Sequence, residues 1–97
     1  MKVELHNIQF EWDRDKADSN LKKHGILFET ACEAFLDPFV KMGDEEYIED
    51  EIRDTIIGMS INWQLLYIVF TMRDEDIIRI TSARPVTKHE RRYYEEA

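Results

Sequence analysis

The side chains in this sequence best suited to chemistry are basic ones placed where helices and strands should end. Lys22-Lys23-His24 stands directly before Gly25, Arg73, Arg79 and Arg84 are spread along one apolar hairpin, and Arg91-Arg92 precedes Tyr93-Tyr94. Guanidinium groups hold phosphate through paired hydrogen bonds, ammonium groups hold it as point charges, and imidazole exchanges protons near neutral pH. Such a set suits work on a phosphate ester. A plainer account stands beside it. Lys22, Lys23 and His24 complement the negative end of a helix dipole. The three hairpin arginines pair with Asp74, Glu75 and Asp76. Tyr93 and Tyr94 either stack on bases or simply pack. Trp12 and Trp63 read as packing residues of the core or of a turn. Residue types alone leave these alternatives open.

Other chemistries lack their residues. His6, His24 and His89 are far apart, and Cys32 is the one cysteine, so no zinc-ligand spacing exists and no metal is implied. No glycine-rich phosphate loop is present, nor a local signature of a Ser or Cys nucleophile, and no cofactor is implied.

The elements that must position the cations follow from periodicity. Ile8 to Trp12 alternates as a half-buried strand. Asp13 is placed to cap a helix over 14–23, with Ala17, Leu21 and His24 on one stripe and Gly25 ending it. Phe28, Ala31, Cys32 and Phe35 mark a second short helix, stopped at Asp37-Pro38. Phe39 to Met42 suits a short strand, and Arg53 to Met59, Gln64 to Met72 and Ile77 to Arg84 suit longer ones, with a turn at Asn62-Trp63. Strict alternation in the last strand puts Ile78, Ile80, Ser82 and Arg84 on one face and Arg79, Thr81 and Ala83 on the other. Thr87 with Glu90 has the capping-box spacing of a final helix. The order predicts an α+β fold: a small antiparallel β-sheet with N-terminal helices and a C-terminal helix packed on it.

At 97 residues this is one domain, taken as 1–97, with a small core. Aromatic residues at 11% are too many for a disordered chain, and 3 Gly with 2 Pro exclude a collagen-like one. The longest apolar run, Leu65 to Phe70, is too short to cross a bilayer as a helix. No signal-like stretch opens the chain, and the lone thiol suits a reducing cytoplasm. The net charge of −8 is unevenly spread. Residues 25–54 hold two basic and ten acidic side chains, whereas 55–94 hold six basic and four acidic. The acidic peak, Asp44 to Glu51, reads as a solvated, disordered loop or as a surface for a basic partner.

As an ordered set these motifs are familiar. Phe10-Glu11-Trp12-Asp13, Lys16, Asn20-Leu21-Lys22-Lys23-His24-Gly25, Phe28-Glu29 and Asp37-Pro38 resemble the first half of the BrnT family. Ile57-Gly58, Tyr67 to Thr71 with Arg73, Ile78-Arg79-Ile80, Ser82-Ala83-Arg84 and Glu90-Arg91-Arg92 with Tyr94 resemble its second half. Thr81 stands where an isoleucine is expected, and the overall acidity is unusual for a nuclease. The resemblance spans about residues 8–96. It implies a RelE-like fold and a metal-independent ribonuclease toxin of a type II toxin–antitoxin module, which cleaves RNA and inhibits translation. It also implies a partner, a BrnA-like ribbon-helix-helix antitoxin that binds operator DNA and, with the toxin, represses its own operon. By motif match the catalytic roles fall on Lys23, His24, Arg73 and Arg84. The alternative is a catalytically inactive RelE-like subunit of a DNA-binding repressor complex.

Overall fold

Alternation in the N-terminal ten residues folds them back on themselves. In the computed structural model, which describes residues 1–74 and 76–96, β1 (Lys2–Leu5) pairs antiparallel with β2 (Ile8–Glu11) across a turn at His6 and Asn7. Both turn residues have positive φ, the conformation that a tight two-residue hairpin requires. β1 has no counterpart in the sequence reading, because His-Asn is a weak turn signal beside Asn-Gly.

Helices α1 (Arg14–His24) and α2 (Phe28–Ala34) follow, with Asp13 and Gly25 capping α1 as expected. Then come β3 (Lys41–Met42), β4 (Glu46–Ile48), β5 (Glu51–Met59), β6 (Leu65–Arg73), β7 (Ile77–Pro85) and α3 (Lys88–Glu95). The sheet order is β1-β2-β7-β6-β5-β3, with β4 also on β5. Two expectations are corrected. The sheet is mixed, not antiparallel, because β2 runs parallel to β7 through Gln9↔Ile77, Phe10↔Ile78 and Glu11↔Arg79. The two helices and strands β3 to β6 that follow them form the long crossover that a parallel pair needs. The acidic segment is also ordered. Glu46–Ile48 pairs with the start of β5, and Glu49 and Asp50 turn between them at positive φ.

One face of the sheet carries the core. Phe10, Ile56, Leu66, Ile68, Phe70, Ile80 and Ala83 meet Phe28, Ala31, Cys32 and Ala34 of α2 there, and Trp12 packs edge-on against Phe28. Trp12 is thus a core residue, whereas Trp63 sits on the β5–β6 turn with 84% of its surface exposed. Gly58 lets α2 approach β5. A Cβ there would stand 2.4 Å from the Ala34 carbonyl oxygen. No described helix is long and apolar enough to cross a membrane.

The C-terminus is fastened through Asp37. Its carboxylate accepts hydrogen bonds from Tyr94 Oη, Phe39 N–H and Met59 N–H. Burial alone would raise its pKa, but these donors outweigh it and hold the carboxyl below its ordinary 3.8. Burial and the Asp37 charge push the Tyr94 hydroxyl up to about 12, so it remains a donor. A carboxyl whose folded pKa is depressed gives stability that is complete above its unfolded pKa and lost as pH falls through the folded one. The unfolding midpoint should therefore hold from neutral pH to about pH 5 and fall below it. Asp37→Asn should lower the midpoint at pH 7 and flatten the acid slope, as read by thermal denaturation against pH.

Candidate functional site

α1 owes its position to one buried polar residue. β2 ends at Glu11, so from Thr81 onward β7 has no strand on that side. α1 takes the vacated place. Asn20 donates through Nδ2 to the carbonyl of Ala83 at 2.8 Å and accepts from Ala83 N–H at 3.0 Å. It also donates to the carbonyl of Ile26. One side-chain amide thus does for β7 what a neighbouring strand would do, and satisfies backbone groups that burial would otherwise penalise. The expected apolar stripe is corrected accordingly: Asn20 is the buried residue of α1, and Leu21 is exposed.

With Asn20 turned inward, helical spacing sets Lys16, Ser19, Lys23 and His24 along one wall of a shallow groove of about 360 Å³. Thr81 and Ser82 of β7 and Arg53 of β5 also line it. An irregularity in β7 brings both hydroxyls here. Val69 pairs with Ser82 and Phe70 with Ile80, leaving Thr81 as the extra residue of a bulge. The bulge corrects the strict alternation of the sequence reading. Ile78, Ile80 and Ala83 all turn to the core. Arg79 and Arg84 both keep to the open face, paired with Glu11 and stacked on Tyr67 respectively.

Arg53 is the residue that sequence reasoning missed, hidden in an acidic run between Glu51 and Asp54. Its side chain is only 15% exposed, and its nearest carboxylate, Glu51, stands 3.7 Å away. Its buried Nε has no hydrogen-bond partner among the described residues. A partly buried guanidinium with spare donor capacity beside two lysines and an imidazole is a place for an anion. The signal was available, since period two from Thr55 and Ile57 puts Arg53 on the open face.

The four residues expected to act are thus distributed unequally. Lys23 and His24 line the groove. Arg84 lies two residues beyond Ser82 on the same face, about 7 Å along the strand. Its guanidinium makes two 2.8 Å bonds to Glu90 and lies 4.1 Å from the Tyr67 ring centroid. Glu90 holds the Arg84 pKa above its ordinary value, and Arg84 holds the Glu90 carboxyl below its own. Glu90 also completes the Thr87 capping box, so this pair ties α3 to the sheet.

Arg73 lies toward the opposite end of β6, across from Ile77 and five residues along β7 from Ser82, a separation of roughly 15 Å. It donates to Glu11 at 2.7 Å, and Arg79 donates to the same oxygen. Burial would raise the Glu11 pKa, but the two arginines outweigh it and lower it. The hairpin arginines thus pair with Glu11 and Glu90, not with Asp74 or Asp76, while Glu75 lies outside the described residues. The hydroxyls of Tyr93 and Tyr94 donate to the Met42 carbonyl and to Asp37, and the Tyr93 side chain stays exposed.

A family model described as "Ribonuclease toxin, BrnT, of type II toxin-antitoxin system" matches residues 12–90. Among solved structures, the chain is similar to the ribonuclease toxin BrnT of Brucella abortus, determined at 1.1 Å resolution. The match has a TM-score of 0.65 and 24% identity, over 81% of this chain and 96% of that one. No protein of curated function matches.

Proposed function

The chain belongs to the BrnT family of ribonuclease toxins of type II toxin–antitoxin systems, and from that premise we propose that its own reaction is metal-independent cleavage of RNA in the groove between α1 and β7. The observation that carries this reading is the convergence of Lys16, Lys23 and His24 with the partly buried Arg53, whose Nε has no hydrogen-bond partner among the described residues. Cleavage here is a transesterification. The 2′-oxygen bonds to phosphorus and loses its proton to a base. The bond from phosphorus to the 5′-oxygen breaks, and that oxygen takes a proton from an acid. The products are a 2′,3′-cyclic phosphate and a 5′-hydroxyl. His24 is the proton-exchanging group, since imidazole can act on either side of neutrality. Lys23 and Arg53 meet the charge that grows on the phosphoryl oxygens, and Lys16 holds a neighbouring phosphate.

Asp15 is the one carboxylate among the described groove residues, a poor set for a divalent cation, which prefers several oxygen ligands. Arg84 on one side, with Arg79 and Arg73 on the other, extends a cationic track along the open face, where the RNA backbone runs on a RelE-like scaffold. The physiological outcome is inhibited translation. The toxin is neutralised by a BrnA-like ribbon-helix-helix antitoxin, through which the complex reaches operator DNA and represses its operon.

Purified chain incubated with RNA in excess chelator should release fragments ending in 2′,3′-cyclic phosphate. Intact RNA with folded protein would sink the enzyme reading and leave a binding subunit.

A further inference from the structure

The core face of the sheet is covered at one end only. α2 has seven residues, about 10 Å of helix, and packs on β5 at Gly58. The opposite end of that face carries large exposed apolar side chains, with no described residue packed over them. Tyr47 pairs with Ile52 across β4 and β5, and Met72 pairs with Ile78 across β6 and β7. Continuing the β5–β6 register past Asp54↔Phe70 brings Ile52 opposite Met72. Period two keeps Ile52 on the side of Ile56, and Met72 on the side of Phe70. Tyr47, Ile52 and Met72 therefore form one row on the core side, with 77%, 47% and 48% of their surfaces exposed.

The row is rimmed by negative charge. The β4–β5 turn presents Glu49 and Asp50. The β6–β7 turn, at the same end of the sheet, presents Asp74 and Asp76. The adjacent Arg73 follows Met72 in β6 and so turns to the other face, where it pairs with Glu11. Three exposed apolar side chains flanked by the carboxylates of two turns match a cationic amphipathic partner, with steering by the rim and affinity from the row.

We propose that this end of the sheet anchors the antitoxin, through an amphipathic helix whose apolar stripe covers Tyr47, Ile52 and Met72 and whose lysines or arginines reach the rim. The proposal rests on family membership, which brings an antitoxin, and not on the assignment of the groove. The groove opens on the other face of the sheet, so anchoring and cleavage are separable.

The test uses the full chain and its purified cognate antitoxin, with Kd measured by titration calorimetry in the absence of RNA. The double substitution Ile52→Ser, Met72→Ser should weaken binding at least 30-fold. Glu49→Lys with Asp50→Lys should weaken it less and flatten its salt dependence. RNA cleavage by both variants should equal that of the unsubstituted chain. Unchanged affinity in both would overturn the proposal. So would sedimentation showing the chain alone to be a dimer that these substitutions dissociate, which assigns the row to a second copy. An unsubstituted chain that fails to cut RNA counts against the ribonuclease reading alone, because the Kd is read without RNA.

Discussion

His24→Ala should slow RNA cleavage about 10²- to 10⁴-fold, the usual worth of a positioned proton-transfer group. The thermal midpoint should barely move, because among the described residues no hydrogen bond of the His24 side chain holds α1 to the sheet; Asn20 does that. Arg53→Met should cost a similar factor in kcat, by removing charge stabilisation felt mainly in the transition state. Arg73→Ala is the informative contrast. Its guanidinium lies well along the strand from Ser82, so its loss should raise KM several-fold with kcat little changed. Arg84→Ala should act through the fold, since it leaves Glu90 unpaired and loosens α3. Single-turnover rates with circular dichroism on each variant separate these cases. A kcat loss for Arg73→Ala as large as for His24→Ala would move the reacting phosphate out of the groove.

Asn20→Ala should be among the most destabilising exchanges in the molecule. It leaves the Ala83 N–H and carbonyl buried and unpaired, at about 1–3 kcal/mol for each group, or about 2–6 kcal/mol together. For a domain of this size that is a fall in Tm on the order of 10–30 °C. Asn20→Asp is no rescue. It keeps the acceptor for Ala83 N–H but cannot donate to the Ala83 and Ile26 carbonyls, and it buries a charge. Denaturant unfolding of both variants checks this. A loss under 1 kcal/mol would mean that α1 is held by other contacts.

Periodicity and caps made most elements legible. Asp13, Gly25, Thr87 and Glu90 placed both ends of α1 and the start of α3, because caps act within a few residues of themselves. What escaped depends on pairing between distant segments. That β2 lies parallel to β7 cannot be read from either strand, since both alternate the same way in either direction. The bulge at Thr81 exists only relative to β6, and it was enough to reverse the faces assigned beyond it. Asn20 looked like one more polar helix residue until β7 supplied the edge that it completes. The site divided along the same line. Lys23 and His24 were visible as chemistry at a helix end, whereas Arg53 was masked by the acids around it, and the partners of Arg73 and Arg84 were set by the fold.

The parallel union of β2 with β7 also has a consequence in time. Strand β2 must wait for residues 77–79, and one wall of the groove, from Lys16 to His24, must wait for Thr81 and Ser82. A chain emerging from the ribosome therefore has no assembled site until nearly its whole length has been made. Under the proposed assignment of the groove, a chain cannot cut before its last strand is in place.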